Sequence, residues 1–241
     1  MSISAAVLPW SDDLFLHGQQ LVRWITDYVD LEESLAVGSI AQEELAHANA
    51  LMEQAGCSIE ERDRRIYVRE PSDWCPSALV LWPAHDWPAT VARGFLLTRG
   101  LLVVVDWLGQ RAGERLRRIA SVIEAEQHLH AVHWCRWVDI LAHTDGAWPF
   151  AHYLAAAAET CGDLFGLPVG QLAALDPEAM HRTWADSVKA ELAGLGVAVP
   201  VLPDRVTERQ PGGSGSELEE LLRTVRALRA EHPEYVYRIY Q

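Results

Sequence analysis

The sequence predicts an all-α protein, a four-helix bundle extended by further helices towards its C-terminal end. Three observations carry this. Apolar residues recur every three or four positions over four long stretches between Ser11 and His143. Capping residues stand at the ends of several stretches. The chain has 241 residues, 49% of them hydrophobic, enough for a sizeable globular core.

The first helix is expected over Ser11–Tyr28. Ser11, Asp12 and Asp13 supply N-cap chemistry, and Leu14, His17, Leu21, Trp24 and Tyr28 share one face. The second is expected over Leu31–Ala55, stopped by Gly56, with Val37, Ile40, Glu44, His47 and Leu51 as its inner stripe. Cys57–Trp87 lacks a clean period and carries Pro71, Pro76 and Pro83, so it reads as a long connection with short helical or extended pieces. Pro88 opens the third helix, which runs to Gln110 through Val91, Phe95, Thr98, Leu102 and Val105. The fourth spans Glu114–His143, with Ile119, Ile123, Glu126, His130, His133, Trp137 and Ile140 on its stripe.

Beyond Asp145, shorter helices are expected over Pro149–Phe165 and Pro177–Leu195, then an extended piece over Val197–Val206. Arg209-Gln-Pro-Gly-Gly-Ser-Gly reads as a flexible loop. Ser216 and Glu219 form a capping-box start for a last helix over Glu217–Ala230. The expected organisation is one domain over residues 1–241, its bundle at about 11–143 and its extension at about 147–241.

Composition narrows the function classes. Formal charge is −14, and Lys189 is the single lysine, a poor match for nucleic acid or an anionic membrane. The longest apolar run, Leu101–Val105, is far short of a membrane span, and Met1–Trp10 has no secretory pattern. Cys57, Cys75, Cys135 and Cys161 form no Cys-x-x-Cys pair, so a cytoplasmic protein without a disulfide framework is expected. Ten tryptophans, among them Trp24, Trp107, Trp134, Trp137 and Trp184, suit core and interface packing. Arg111, Arg115, Arg117 and Arg118 cluster near the turn between the third and fourth helices, as a solvated helix end or as a contact for an anion such as an acyl-CoA phosphate.

The informative residues are the polar ones on apolar stripes. Glu44 and His47 form Glu-x-x-His, the spacing that points a carboxylate and an imidazole into a bundle core in ferritin-like di-metal proteins. The fourth helix offers Glu126, His130 and His133 at spacings of four and three. The first offers only His17; the third offers Thr98, with Asp106 at the stripe edge. Two readings stand. One is a metal, iron or manganese, held by Glu44, His47, Glu126 and His130, with or without His133 and His17. The other is a metal-free polar network that specifies packing.

Several stretches together resemble the phenylacetic acid catabolic proteins, and most of all the structural C subunit of the phenylacetyl-CoA epoxidase. They are Leu14-Phe-Leu-His-Gly-Gln-Gln-Leu-Val-Arg-Trp24, Leu31-Glu-Glu-Ser-Leu-Ala, Ala46-His-Ala-Asn-Ala-Leu51, Ala92-Arg-Gly-Phe95 and Glu126 to Trp137. In the tail, Trp184 with Glu191, Val199-Pro200 and Gly212-Gly213-Ser214-Gly215 follow in the same order. The resemblance implies a ferritin-like fold and a non-catalytic subunit that has lost metal ligands. It implies a ligand-complete di-iron catalytic subunit as partner and no cofactor of the chain's own; a homo-oligomer is a further possibility. Gln42-Glu43-Glu44-Leu45-Ala46-His47 looks more like the catalytic subunit's ligand helix, which keeps a stand-alone ferritin-like metal-dependent oxidoreductase as the alternative.

Overall fold

The computed structural model describes residues 6–27, 30–111, 113–144, 150–167, 176–212 and 216–231. Among these it is all helix and loop, with no strand. The helices are α1 (Leu8–Leu21), α2 (Leu31–Gln54), α3 (Ile59–Tyr67), α4 (Ala78–Leu81), α5 (Trp87–Arg111), α6 (Glu114–His143), α7 (Phe150–Glu159), α8 (Pro177–Gly194) and α9 (Ser216–Glu231). Short 3-10 turns lie at Val22–Ile25, Pro71–Asp73 and Cys161–Asp163. The expected positions Tyr28, Pro149 and Gly213 to Gly215 fall outside the described residues.

Local chemistry sets the helix ends. The Asp30 carboxylate accepts from the Glu33 amide at 2.7 Å and starts α2. Gly56, at φ +92°, ends it. Gly56 N–H donates to Glu53 O and Cys57 N–H to Met52 O, a Schellman closure that needs the left-handed residue. Ser58 and Glu61 cap α3 reciprocally, and Asp176 with Pro177 starts α8.

Two hairpins make the bundle: α1 packs on α2, α5 packs on α6, and α2 meets α6 to close it. α7 and α8 lie against α5. This surrounds α5, which explains its composition. It is the one described helix long and apolar enough to cross a membrane, but 78% of its most apolar window is buried in the protein. Close approach is built in at Gly94, where a Cβ would stand 2.6 Å from the Trp134 ring. Trp24 donates to Thr90 Oγ1 and Trp184 to Leu96 O, both at 3.1 Å, so these two buried indoles keep partners, whereas the ring N–H groups of Trp74, Trp87 and Trp134 are buried without one among the described residues.

Three expectations are corrected. Ser11, Asp12 and Asp13 do not cap α1, which starts at Leu8 with Pro9 in its first turn; all three are buried inside the helix. Their carboxylates instead accept from the connection: Asp12 from the Cys75 amide at 3.0 Å and Asp13 from the Ser77 amide at 2.7 Å. Arg209 is no part of a loose loop. It is 1% exposed and pairs with Asp13 at 2.7 Å. On α6 the inner stripe is turned from the expected one: Gln127, Trp134 and Val138 are fully buried, while Ile140 is 49% exposed. Alanines at 120 and 131 face the core there, a weaker hydrophobic signal than the isoleucines.

The long connection holds the short helices α3 and α4, as expected, and residues 197 to 206, expected as an extended piece, form neither helix nor strand. Arg111, Arg115, Arg117 and Arg118 are exposed at the α5–α6 turn; Arg115 reaches Glu53 at 2.6 Å, and Arg118 pairs with Glu114 within its own helix.

Candidate functional site

α2 turns Glu44 and His47 into the bundle on the same stripe as Val37, Ile40 and Leu51, all buried. Facing them, α6 presents Gln127 and His130, 0% and 2% exposed. Gln127 Nε2 donates to Glu44 Oε1 at 3.1 Å and lies 3.4 Å from His47 Nδ1. His130 Nδ1 lies 3.4 Å from the same Glu44 oxygen. His17 of α1, fully buried, comes within 3.8 Å of it, too far for a direct hydrogen bond. Glu44 is therefore the centre of a buried polar cluster, in which its Oε2, His130 Nδ1 and both His17 ring nitrogens have no hydrogen-bond partner among the described residues.

Two crossed pairs carry the cluster outwards. His47 Nε2 pairs with Glu126 of α6, and His130 Nε2 pairs with Glu43 of α2 at 2.6 Å. Each helix thus gives one acid and one imidazole four residues apart, and each imidazole bonds the acid opposite. The imidazoles are buried, and the acids are about one-third exposed, 34% for Glu43 and 37% for Glu126.

Of the residues singled out in the sequence, Glu44, His47, Glu126 and His130 come together. His133 does not join them. It lies 3.0 Å from Glu33, near the α2 N-terminus, and Glu33 also accepts from Trp137 Nε1 at 2.8 Å. Asp106 is exposed and accepts from Gln110. Sequence reasoning missed Glu43 and Gln127. The available signal was spacing: Gln127-x-x-His130 on α6 repeats the three-residue step of Glu44-x-x-His47 on α2.

The electrostatics follow from burial and these pairs. Burial pushes the Glu44 carboxyl up, but His130 and His17 outweigh it and hold the group below the usual carboxylate range. Burial dominates at His17 and lowers its pKa despite Glu44; the Arg93 charge adds to the lowering. At His130 burial also opposes protonation, yet Glu44 and then Glu43 raise the pKa above the ordinary imidazole value. The folded state therefore holds a proton on His130 that the unfolded chain releases. The resulting stability is fully present below pH 6.5 and is lost as pH rises through the folded-state value. The advantage of the wild type over His130→Gln should follow that course in urea melts between about pH 6 and about pH 9. An advantage that does not change with pH would contradict the assignment. The groups around His130 are Glu43, Glu44 and His47 from α2, His17 from α1 and Glu126 from α6.

A di-metal centre in such a bundle takes a carboxylate from each of four helices, two of them paired with an imidazole three residues on. α2 meets that with Glu44 and His47. On α6 the residue three before His130 is Gln127, an amide that offers no anionic oxygen. α1 gives His17, and on α5 Thr98 is buried with its hydroxyl unpartnered. Among the described residues, no group of three or more His, Cys, Asp or Glu is placed to hold a metal ion. These residues do not fit a di-metal centre.

Fold and interior together define a ferritin-like helical bundle with an acid–imidazole–amide cluster between two of its helices. The chain belongs to the phenylacetic acid catabolic protein family, whose model matches residues 2–236. A comparison with curated proteins gives no match. Family membership connects the chain with the catabolism of phenylacetic acid.

Proposed function

We propose that the protein is a structural, non-catalytic subunit of a phenylacetyl-CoA-epoxidase-type oxygenase, supporting a di-iron catalytic subunit of the same family in the cytoplasm. The observation that carries this reading is the donor set. Gln127 stands on the Glu44–His47 pattern where a carboxylate would be needed, and His17 and Thr98 supply none from α1 and α5. Glu44, His47, Glu126 and His130, with His133 beyond them, are then a vestigial ligand set whose acids and imidazoles bond one another. The chain would need no cofactor of its own. Its role would be to bind, with neither nucleic acid nor membrane among its partners.

The adjacency of Glu44, His47, Glu126 and His130 favours one competing reading, an oxidoreductase with a reduced iron or manganese site. Co-expression with a ligand-complete family member from the same genome separates the two. The subunit reading expects a stable complex whose iron co-purifies with the partner and whose turnover needs both chains. Oxygen-dependent turnover by this chain alone would overturn it.

A further inference from the structure

Arg93 belongs to the Ala92-Arg-Gly-Phe95 segment; its charge is felt at His17, but it makes no hydrogen bond or ion pair to the polar cluster. It is 3% exposed, on the inner side of α5. A guanidinium brings five N–H donors. Here Nη1 reaches Trp82 O at 3.3 Å, and Nε is buried with no partner. Among the described residues, no carboxylate forms an ion pair with it. Burial, and after it the charge of another cation, Arg23, lowers the Arg93 pKa to about 9 and still leaves it protonated at neutral pH. Arg23 sits in the turn after α1 and donates to His85 O at 2.6 Å and to Ala84 O at 3.5 Å. Both guanidiniums therefore reach the segment from Trp82 to His85. Asp86, the next residue, is already engaged by the Ala89 amide and the Tyr153 hydroxyl.

A buried cation without a counter-charge is costly, and the cost falls when an anion accepts its free donors. Guanidinium forks match the oxygens of carboxylates and phosphates. We propose that Arg93 and Arg23 form an oxyanion-binding site where α1 and α5 meet the 82–85 segment, Arg93 as the inner donor and Arg23 as the outer one.

The test is thermal unfolding of the whole chain in rising inorganic phosphate or acetate, against chloride at matched ionic strength. The site predicts a saturable rise in melting temperature with phosphate or acetate that chloride does not reproduce. Saturation by phosphate alone identifies a tetrahedral anion, and saturation by acetate identifies a carboxylate. Arg93→Met should abolish the rise, and Arg23→Met should move its midpoint several-fold to higher concentration. A wild-type response equal to that in chloride overturns the proposal, as does an undiminished response in Arg93→Met. Should Arg93→Met fail to fold, an unchanged midpoint in Arg23→Met overturns it as well.

Discussion

Replacing Arg209 with methionine is expected to cost about 3–5 kcal/mol of folding stability, because it removes one partner of a buried ion pair. All five of its N–H donors are used. Nε donates to Asp163 O at 3.3 Å, Nη1 to Pro9 O and Cys75 O at 3.1 Å each, and Nη2 to Asp13 Oδ2 and Leu164 O at 2.7 Å each. One side chain so ties α1, the connection before α4, the turn after α7 and the tail. The carboxyl groups around it depend on its charge. Burial raises Asp13 in spite of Arg209, and burial lifts Asp163 to about 6. The double variant Arg209→Met/Asp13→Leu should recover part of the loss, since it removes both ions of the direct pair, while Asp163 loses a neighbouring cation and the Ser77 amide its acceptor. Urea melts of the two single variants and the double variant measure this coupling. Simple additivity, or a loss below about 1 kcal/mol in Arg209→Met, would contradict the pairing.

Glu44→Ala is the second large effect, again about 3–5 kcal/mol, since a fully buried anion that orients its neighbours is removed. Gln127 Nε2 loses its acceptor, and His130 and His17 lose the charge that favours their protonation. Glu44→Gln keeps an acceptor and should cost less, yet it should lower the His130 pKa just as Glu44→Ala does. Imidazole titration by NMR reads that shift directly. An unmoved His130 in both variants would place the controlling charge on Glu43 instead.

How far the sequence spoke depended on how plainly each residue's surroundings are written in its neighbours. α2 was legible because its inner stripe is long and apolar, with Glu44 and His47 as the only interruptions between Val37 and Leu51. Its cap at Gly56 was legible because a left-handed residue is a local requirement. The α6 face was partly misread. Its histidines sit on both flanks of the stripe, and small alanines mark the true centre, so period alone could not fix the rotation. Gln127 was hidden for the same reason. Arg209 was hidden more deeply. Its partners lie up to 200 residues away in sequence, and nothing in a Gly-rich neighbourhood signals a buried ion pair. Asp12 and Asp13 next to Ser11 match a helix start locally, and only the tertiary contacts with Cys75, Ser77 and Arg209 reveal their use.

This bundle keeps the helix arrangement of a ferritin-like interior, and its described residues lack the donors for a di-metal centre. The decisive measurement is the metal content of the isolated chain, purified after growth with added iron and manganese. Sub-stoichiometric iron and manganese are expected, unchanged between the wild type and Glu44→Gln. Two metal ions per chain, lost in Glu44→Gln, would contradict that expectation.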